Sequence, residues 1–149
     1  MIVACSSADQ PGWLELRQAL WPDESASAHL AEMEAFCRSP SRYAQFVSIS
    51  AVGEPQGFIE LALRSDYVNG TESSPVAFLE GIYVAPAHRR QGVARALVAQ
   101  AERWALSRGC REFASDALLE NTHSHSMHRA LGFEETERVV YFRKRLASR

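Results

Sequence analysis

The chain has 149 residues, enough for one domain with a real core, and its 46% hydrophobic and 23% charged content is ordinary for a globular protein. A formal net charge of -2 does not suit a domain whose main work is gripping nucleic acid. Cys5, Cys37 and Cys110 are odd in number and far apart, the start has no signal-peptide pattern, and no apolar run reaches membrane-spanning length, so the expected setting is a reducing cytoplasm.

The chain shows no repeat, low-complexity tract or linker, which predicts one domain over 1–149. Met1–Cys5 reads as a short strand. From Asp9 to Leu20, Trp13, Leu16, Ala19 and Leu20 recur at helical spacing, with Asp9 placed to cap and Pro11 in the first turn. Trp21-Pro22 breaks that helix, and Ser25 to Arg38 predicts another. Phe46–Ser50 and Phe58–Leu63 alternate around the turn Gly53–Gly57, a hairpin. Residues 65–75 read as a loop and Phe78–Val84 as a strand, in which Gly81 implies a bulge or a close backbone approach. Gly92 to Ser107 is helical, with an apolar stripe of Val93, Leu97, Ala101, Trp104 and Ala105 and a stop at Gly109. Glu112–Ser115 reads as a strand, Asn121–Leu131 as a helix ending at Gly132, and Phe133–Leu146 as strand-rich around Val139-Val140-Tyr141-Phe142. The order predicts a mixed α/β fold.

The segment Ile82 to Ala94 carries the clearest chemistry. A strand runs into a basic turn, Arg89-Arg90-Gln91, which opens a helix at Gly92. Such a helix start presents unpaired N–H groups and the positive end of the macrodipole, an anion site suited to a pyrophosphate. Gly92 lets the backbone approach closely, Ala94 keeps the next turn thin, and Arg89, Arg90 and Arg95 add charge. Neither a Walker A loop nor a G-x-G-x-x-G fingerprint is present.

Arg89-Arg90-Gln91-Gly92-Val93-Ala94 resembles the R/Q-x-x-G-x-G/A acetyl-CoA motif of the GNAT acetyltransferases. The preceding strand, the long helix and the late Leu131-Gly132-Phe133 follow that family in order and spacing. The resemblance implies a central sheet of six or seven strands with a splayed central pair and about four helices. It assigns the acetyl-CoA arm to Ile82, Tyr83 and Val84, the pyrophosphate to Arg90, Gln91, Gly92, Val93, Ala94 and Arg95, and a further contact to Asn121. Where many members carry a Tyr acid for the CoA thiolate, this chain has His128, which could donate in its place, or the thiolate could leave unprotonated.

A narrower resemblance, to the aminoglycoside 6'-N-acetyltransferases of enteric bacteria and Acinetobacter, lies in Leu20-Trp21-Pro22, Asp66–Gly70, Ser73–Val76, Phe78–Ile82, Ala114-Ser115-Asp116 and Gly132–Arg138. It implies acetyl transfer to the 6'-amine of an aminoglycoside, resistance to such drugs, and a homodimer with acceptor pockets near the subunit interface. Substrate contacts then fall on Trp21, Glu24, Tyr67, Glu80, Asp116 and Glu137. A hydroxyl-rich polycation calls for carboxylates and some aromatic surface, and these residues supply both. Taken alone, Trp21 suits a core cover, Tyr67 a loop surface and Glu137 an exposed strand face. Glu80 stands out without any resemblance, because a charge amid a strand's apolar residues is costly unless it faces a cleft. Either Glu80 or Asp116 could accept the amine proton, directly or through water.

His123, His125 and His128 lie on one predicted helix, but offsets of two and three residues do not share a face, so no metal is expected. Two other functions fit the sequence: a GNAT enzyme acting on a polyamine or a protein N-terminus, or a non-catalytic module that binds CoA or antibiotic.

Overall fold

In the computed structural model, which describes residues 1–147, five strands form one sheet in chain order: β1 (Ile2–Ala4), β2 (Tyr43–Ile49), β3 (Pro55–Arg64), β4 (Val76–Val84) and β5 (Phe113–Ala114). The first four are antiparallel neighbours, and β5 lies parallel to β4. Helices α1 (Trp13–Leu20), α2 (Ala26–Cys37), α3 (Val93–Ser107) and α4 (Thr122–Ala130) complete the mixed α/β fold, with a 3-10 turn at Pro86–His88. The helix count matches expectation. The strand count is five among the described residues, not six or seven.

The chain divides into two units after Asp116. In the first, α1 and α2 cover one face of the sheet, where Trp13, Leu16 and Met33 pack on Val47 and Phe58. Helix α3 covers the other, where Ala105 meets Ala77, Leu63 and Cys110. With both faces covered, β3 is buried continuously from Gly57 to Ala62 and does not alternate with solvent.

Two predicted helix starts fare differently. Ser25 caps α2, its hydroxyl accepting from Ala28 N at 3.1 Å. Helix α1 begins three residues later than an Asp9 cap would place it. Gly12, at φ 87°, is its N-cap, and an added Cβ there would lie 2.6 Å from Pro55. That left-handed residue, pressed against the hairpin, cannot sit inside a helix, so Asp9 and Pro11 belong to the turns before it.

In the second unit Asn121 caps α4, its side-chain oxygen accepting from Ser124 N at 3.2 Å. Residues 133–147 contain no strand, contrary to the sequence reading. Val140, Tyr141, Phe142 and Leu146 are 77–92% exposed. A strand needs a partner edge as well as a suitable sequence, and in this segment apolar β-formers have no ladder to join.

Candidate active site

The site is organised by one extra residue in β4. Against β3, Ile82 pairs with Ile59 and Gly81 with Glu60, but the next partner of Leu61 is Leu79. Glu80 is thus the inserted residue of a β-bulge. The insertion shifts the strand's alternation. Tyr83 packs in the α1/α2 core, whereas Ala77, also odd-numbered, packs under α3. Glu80 turns out toward the α1/α2 side, where it is exposed. Its Oε1 accepts from Arg64 at 2.9 Å, and the Arg64 guanidinium lies 3.7 Å above the Phe78 ring. The burial problem posed by a mid-strand charge is solved by re-aiming the strand, a use for which bulges are well suited.

Gly81 meets both expectations set for it. It adjoins the bulge, and Trp21 packs on it so closely that a Cβ would lie 2.5 Å from the indole Cη2. Trp21 also meets Phe58 edge to face at 5.9 Å and lies 4.9 Å from the Arg17 guanidinium.

Behind Trp21 is a buried polar network that the sequence reading did not identify. Arg17 Nη1 donates to both oxygens of Glu60 at 2.6 and 2.5 Å, and Trp13 Nε1 donates to the same carboxylate at 2.8 Å. Arg17 Nη2 donates to Glu32 at 2.9 Å. Arg17 Nε donates to His29 Nδ1 at 3.2 Å, which makes that nitrogen an acceptor and leaves Nε2–H to donate to the Trp21 carbonyl at 3.1 Å. His29 is therefore neutral in this arrangement. Burial pushes the Glu60 carboxyl up, and the Arg17 charge and the donors from Arg17 and Trp13 oppose it. With three N–H groups aimed at it, Glu60 is the anion of a buried ion pair.

A cavity of about 380 Å³ opens against this network, lined by Trp21, Glu32, Phe36, Tyr43, Glu60 and Glu80. A second, of about 140 Å³, is lined by Arg17, Trp21, Glu24 and Glu32. Of the expected acceptor-binding residues, the structure brings Trp21 and Glu80 into one cavity and Glu24 into its neighbour. Tyr67 is exposed in the loop after β3 and lines neither. Asp116 is exposed and follows β5. Since Ala114 pairs with Phe78, Asp116 and Glu80 each lie two residues past the last β4–β5 pair, on either side of the gap.

That gap is the expected splay. Strands β4 and β5 pair only at Ala77–Phe113 and Phe78–Ala114. On the β3 side, Ala85 N donates to Gln56 O at 2.8 Å. Counting back through the antiparallel ladder, Tyr83 spends its backbone groups on β3, while those of Ile82 and Val84 point to the open side. Arg89 Nε donates to the Val84 carbonyl there at 2.9 Å. Ile82 and Val84 thus offer backbone groups to a ligand, and Tyr83 does not.

The turn that follows is shaped as an anion cradle. Arg90 has φ 62°, the one non-glycine residue with a positive φ among those described, and Gly92 has φ 79° at the N-cap of α3. Such alternations turn successive N–H groups to one side. A left-handed conformation at a non-glycine residue is costly and tends to mark functional turns. The space above Gly92 is open.

In the second unit, His128 Nδ1 lies 2.7 Å from the Ser124 carbonyl, and its ring meets Phe133 at 5.2 Å. A carbonyl can only accept, so Nδ1 carries a proton. Donating to a thiolate through Nε2 would require the imidazolium. His125 Nε2 bonds the Leu118 carbonyl at 2.9 Å. Glu137 lies in the segment without strands and is exposed. Among the described residues no group of three or more His, Cys, Asp or Glu side chains could hold a metal ion.

A splayed β4, a left-handed basic turn and a helix N-terminus define an acyl-CoA-binding fold. The acetyltransferase (GNAT) family profile matches residues 13–133, and the chain belongs to that family. It is 53% identical over 146 residues to aminoglycoside N(6')-acetyltransferase type 1 of Serratia marcescens, covering 98% of this chain and 99% of that one. To the protein of the same name from Acinetobacter haemolyticus it is 52% identical over 145 residues, covering 97% and 98%. Among solved structures it matches AAC(6')-Iy in complex with the bisubstrate analog CoA-S-monomethyl-acetylneamine, with a TM-score of 0.91, 46% identity and 98% coverage of each chain.

Proposed function

We propose that this chain transfers the acetyl group of acetyl-CoA to the 6'-amino group of aminoglycosides, in a ternary complex and without an acyl-enzyme. The observation that carries this reading is the acidic and aromatic cavity at the Glu80 bulge, beside the open edge of β4. Such a cavity suits a hydroxyl-rich polycation, and the open edge leads to the anion cradle at Gly92. The full-length relatives of the same name support the choice of acceptor.

The cradle amides from Arg90 to Arg95 hold the pyrophosphate, the backbone of Ile82 and Val84 holds the pantetheine arm, and Asn121 adds a contact through the amide donors its capping oxygen leaves over. Trp21, Glu24, Tyr67, Glu80, Asp116 and Glu137 bind the drug. An ammonium has no lone pair for attack, so the amine first gives up a proton, to Glu80 or Asp116 through water. Glu80 is held by Arg64, which fixes its position. As the neutral amine attacks, negative charge develops on the thioester oxygen, and the Ile82 N–H meets it. The attacking nitrogen gives its remaining extra proton to water as the CoA thiolate leaves; His128 donates to that thiolate, or the thiolate leaves unprotonated.

Chain 1–149 acts as one acetyltransferase domain, in the cytoplasm, where acetyl-CoA is available; no described helix is long and apolar enough to cross a membrane. It works as a homodimer. The support for this is the run Val139–Phe142, β-forming and exposed, which a second copy would cover.

Thiol release from acetyl-CoA tests the proposal, with aminoglycosides with and without a free 6'-amine, polyamines and peptides as acceptors. Release with 6'-amino drugs alone is the expected result. Release with polyamines or peptides alone would keep the acetyltransferase and overturn the acceptor. In Glu80→Gln, turnover or drug affinity should fall while acetyl-CoA affinity holds.

A further inference from the structure

The larger cavity extends well beyond the bulge. Tyr43 pairs with Ala62 on β3, which pairs with Phe78 on β4, so Tyr43 stands two strands from Glu80. At a strand spacing of about 4.8 Å, that places the β2 end of the cavity roughly 10 Å from the strand carrying Glu80. The far wall comprises Tyr43, Phe36 and Glu32. Tyr43 and Phe36 meet at a tilt of 48° with centroids 4.9 Å apart, and Glu32 is half exposed.

Glu32 is nonetheless held in place. Its Oε1 accepts from Arg17, whose side chain is 2% exposed and is itself fixed by Glu60. A carboxylate has about four acceptor positions, and one bond to Arg17 leaves capacity on the cavity side. Glu60 and Glu32 together outweigh the single Arg17 charge, so the wall keeps a net negative charge despite the buried cation. Glu32 also lines the adjoining cavity with Glu24 and Trp21.

We propose that Glu32, flanked by Tyr43 and Phe36, is a specificity-determining residue: it forms a distal subsite for a second ammonium, on a ring other than the one acetylated. This rests on the aminoglycoside reading above. The anchored carboxylate recognises the cation, and the aromatic wall supports the ring that bears it.

The test compares kcat/KM for two acceptors, a one-ring 6-amino sugar and a multi-ring 6'-amino aminoglycoside, in the wild type, Glu32→Gln and Glu32→Asp. Loss of one charge-assisted contact should lower the multi-ring to one-ring ratio about tenfold in Glu32→Gln. Glu32→Asp, which keeps the charge, should restore much of it. General loosening through Arg17 would lower both acceptors in proportion, and that result overturns the subsite. An unchanged ratio overturns it too, while wild-type turnover of the aminoglycoside keeps the acceptor class intact. A wild type that acetylates no aminoglycoside overturns both.

Discussion

Replacing Gly81 with Ala tests the junction of bulge and indole directly. Its backbone is not left-handed, so Ala adds no conformational strain and the effect comes from contact alone. The new Cβ would lie 2.5 Å from Trp21 Cη2 and 2.7 Å from Cζ2. Carbon atoms rest about 3.5–4.0 Å apart, so the ring must withdraw by about 1 Å. It cannot do so freely. The Trp21 N–H bonds the Arg17 carbonyl at 2.8 Å, and its own carbonyl is bonded by His29. Overpacking of this kind costs about 1–3 kcal/mol. For a chain of this size that lowers Tm by roughly 2–12 °C. Because Trp21 lines both cavities, KM for the aminoglycoside should rise about tenfold, the equivalent of about 1.4 kcal/mol, with a smaller change for acetyl-CoA. Thermal melts and steady-state kinetics read the two effects. In the double variant with Trp21→Leu the stability losses should be less than additive, because the clash is gone. Unchanged Tm and acceptor KM in Gly81→Ala would refute the claim that the indole rests on residue 81.

Arg17→Met leaves Glu60 buried without its cation and should destabilise the fold by about 3–5 kcal/mol in urea titration; a loss below 1 kcal/mol would mean the ion pair is not structural. Gly92→Glu puts bulk and negative charge over the cradle and should abolish acetyl-CoA binding by calorimetry, and tight residual binding would sink the cradle assignment. Burial pushes the thiols of Cys5, Cys37 and Cys110 up, so a disulfide reagent near pH 8 should label the native protein slowly and modify three thiols once it is unfolded. The Ser73 hydroxyl and the Glu72 N–H hold the Glu112 carboxyl below the usual range. A depressed carboxylate contributes stability above its unfolded value, about 4.3, and loses it as pH falls through the folded one. Protection of the Glu72 amide against hydrogen exchange, relative to its neighbours, should therefore drop in acid.

Much of this was legible before any coordinates. Gly81, a glycine inside an apolar strand, announced a bulge or a close approach, and the structure has both, with Trp21 as the approaching group. The cradle followed from Arg89 to Ala94, and Glu80 from a charge where none should be affordable. The same signal marks Glu60. Arg17 stands four residues after Trp13, on the helix face that Trp13 and Leu16 bury, and Glu60 sits mid-run in β3. Two opposite charges on core-facing positions imply a buried pair, even 43 residues apart. Other features were not local enough to read. Gly12 displaces the start of α1 because Pro55 presses on it from the hairpin. Residues 139–142 have strand composition, but composition does not supply an edge. The far wall at Glu32 and Tyr43 depends on how α2 lies over β2, which no single segment encodes.

The extra residue in β4 also makes the acidic position dispensable to the ladder. Leu79 already pairs with Leu61 and Gly81 with Glu60, so a chain without Glu80 would pair regularly and keep Val76 to Leu79 on their present faces, with Phe78 opposite Ala62 and Ala77 beside Ala105. The carboxylate would go while the core pairs on either side stay in register. Position 80 is thus a place where the chemistry of the cavity can change, in type or by outright loss, without a rearrangement of the sheet around it.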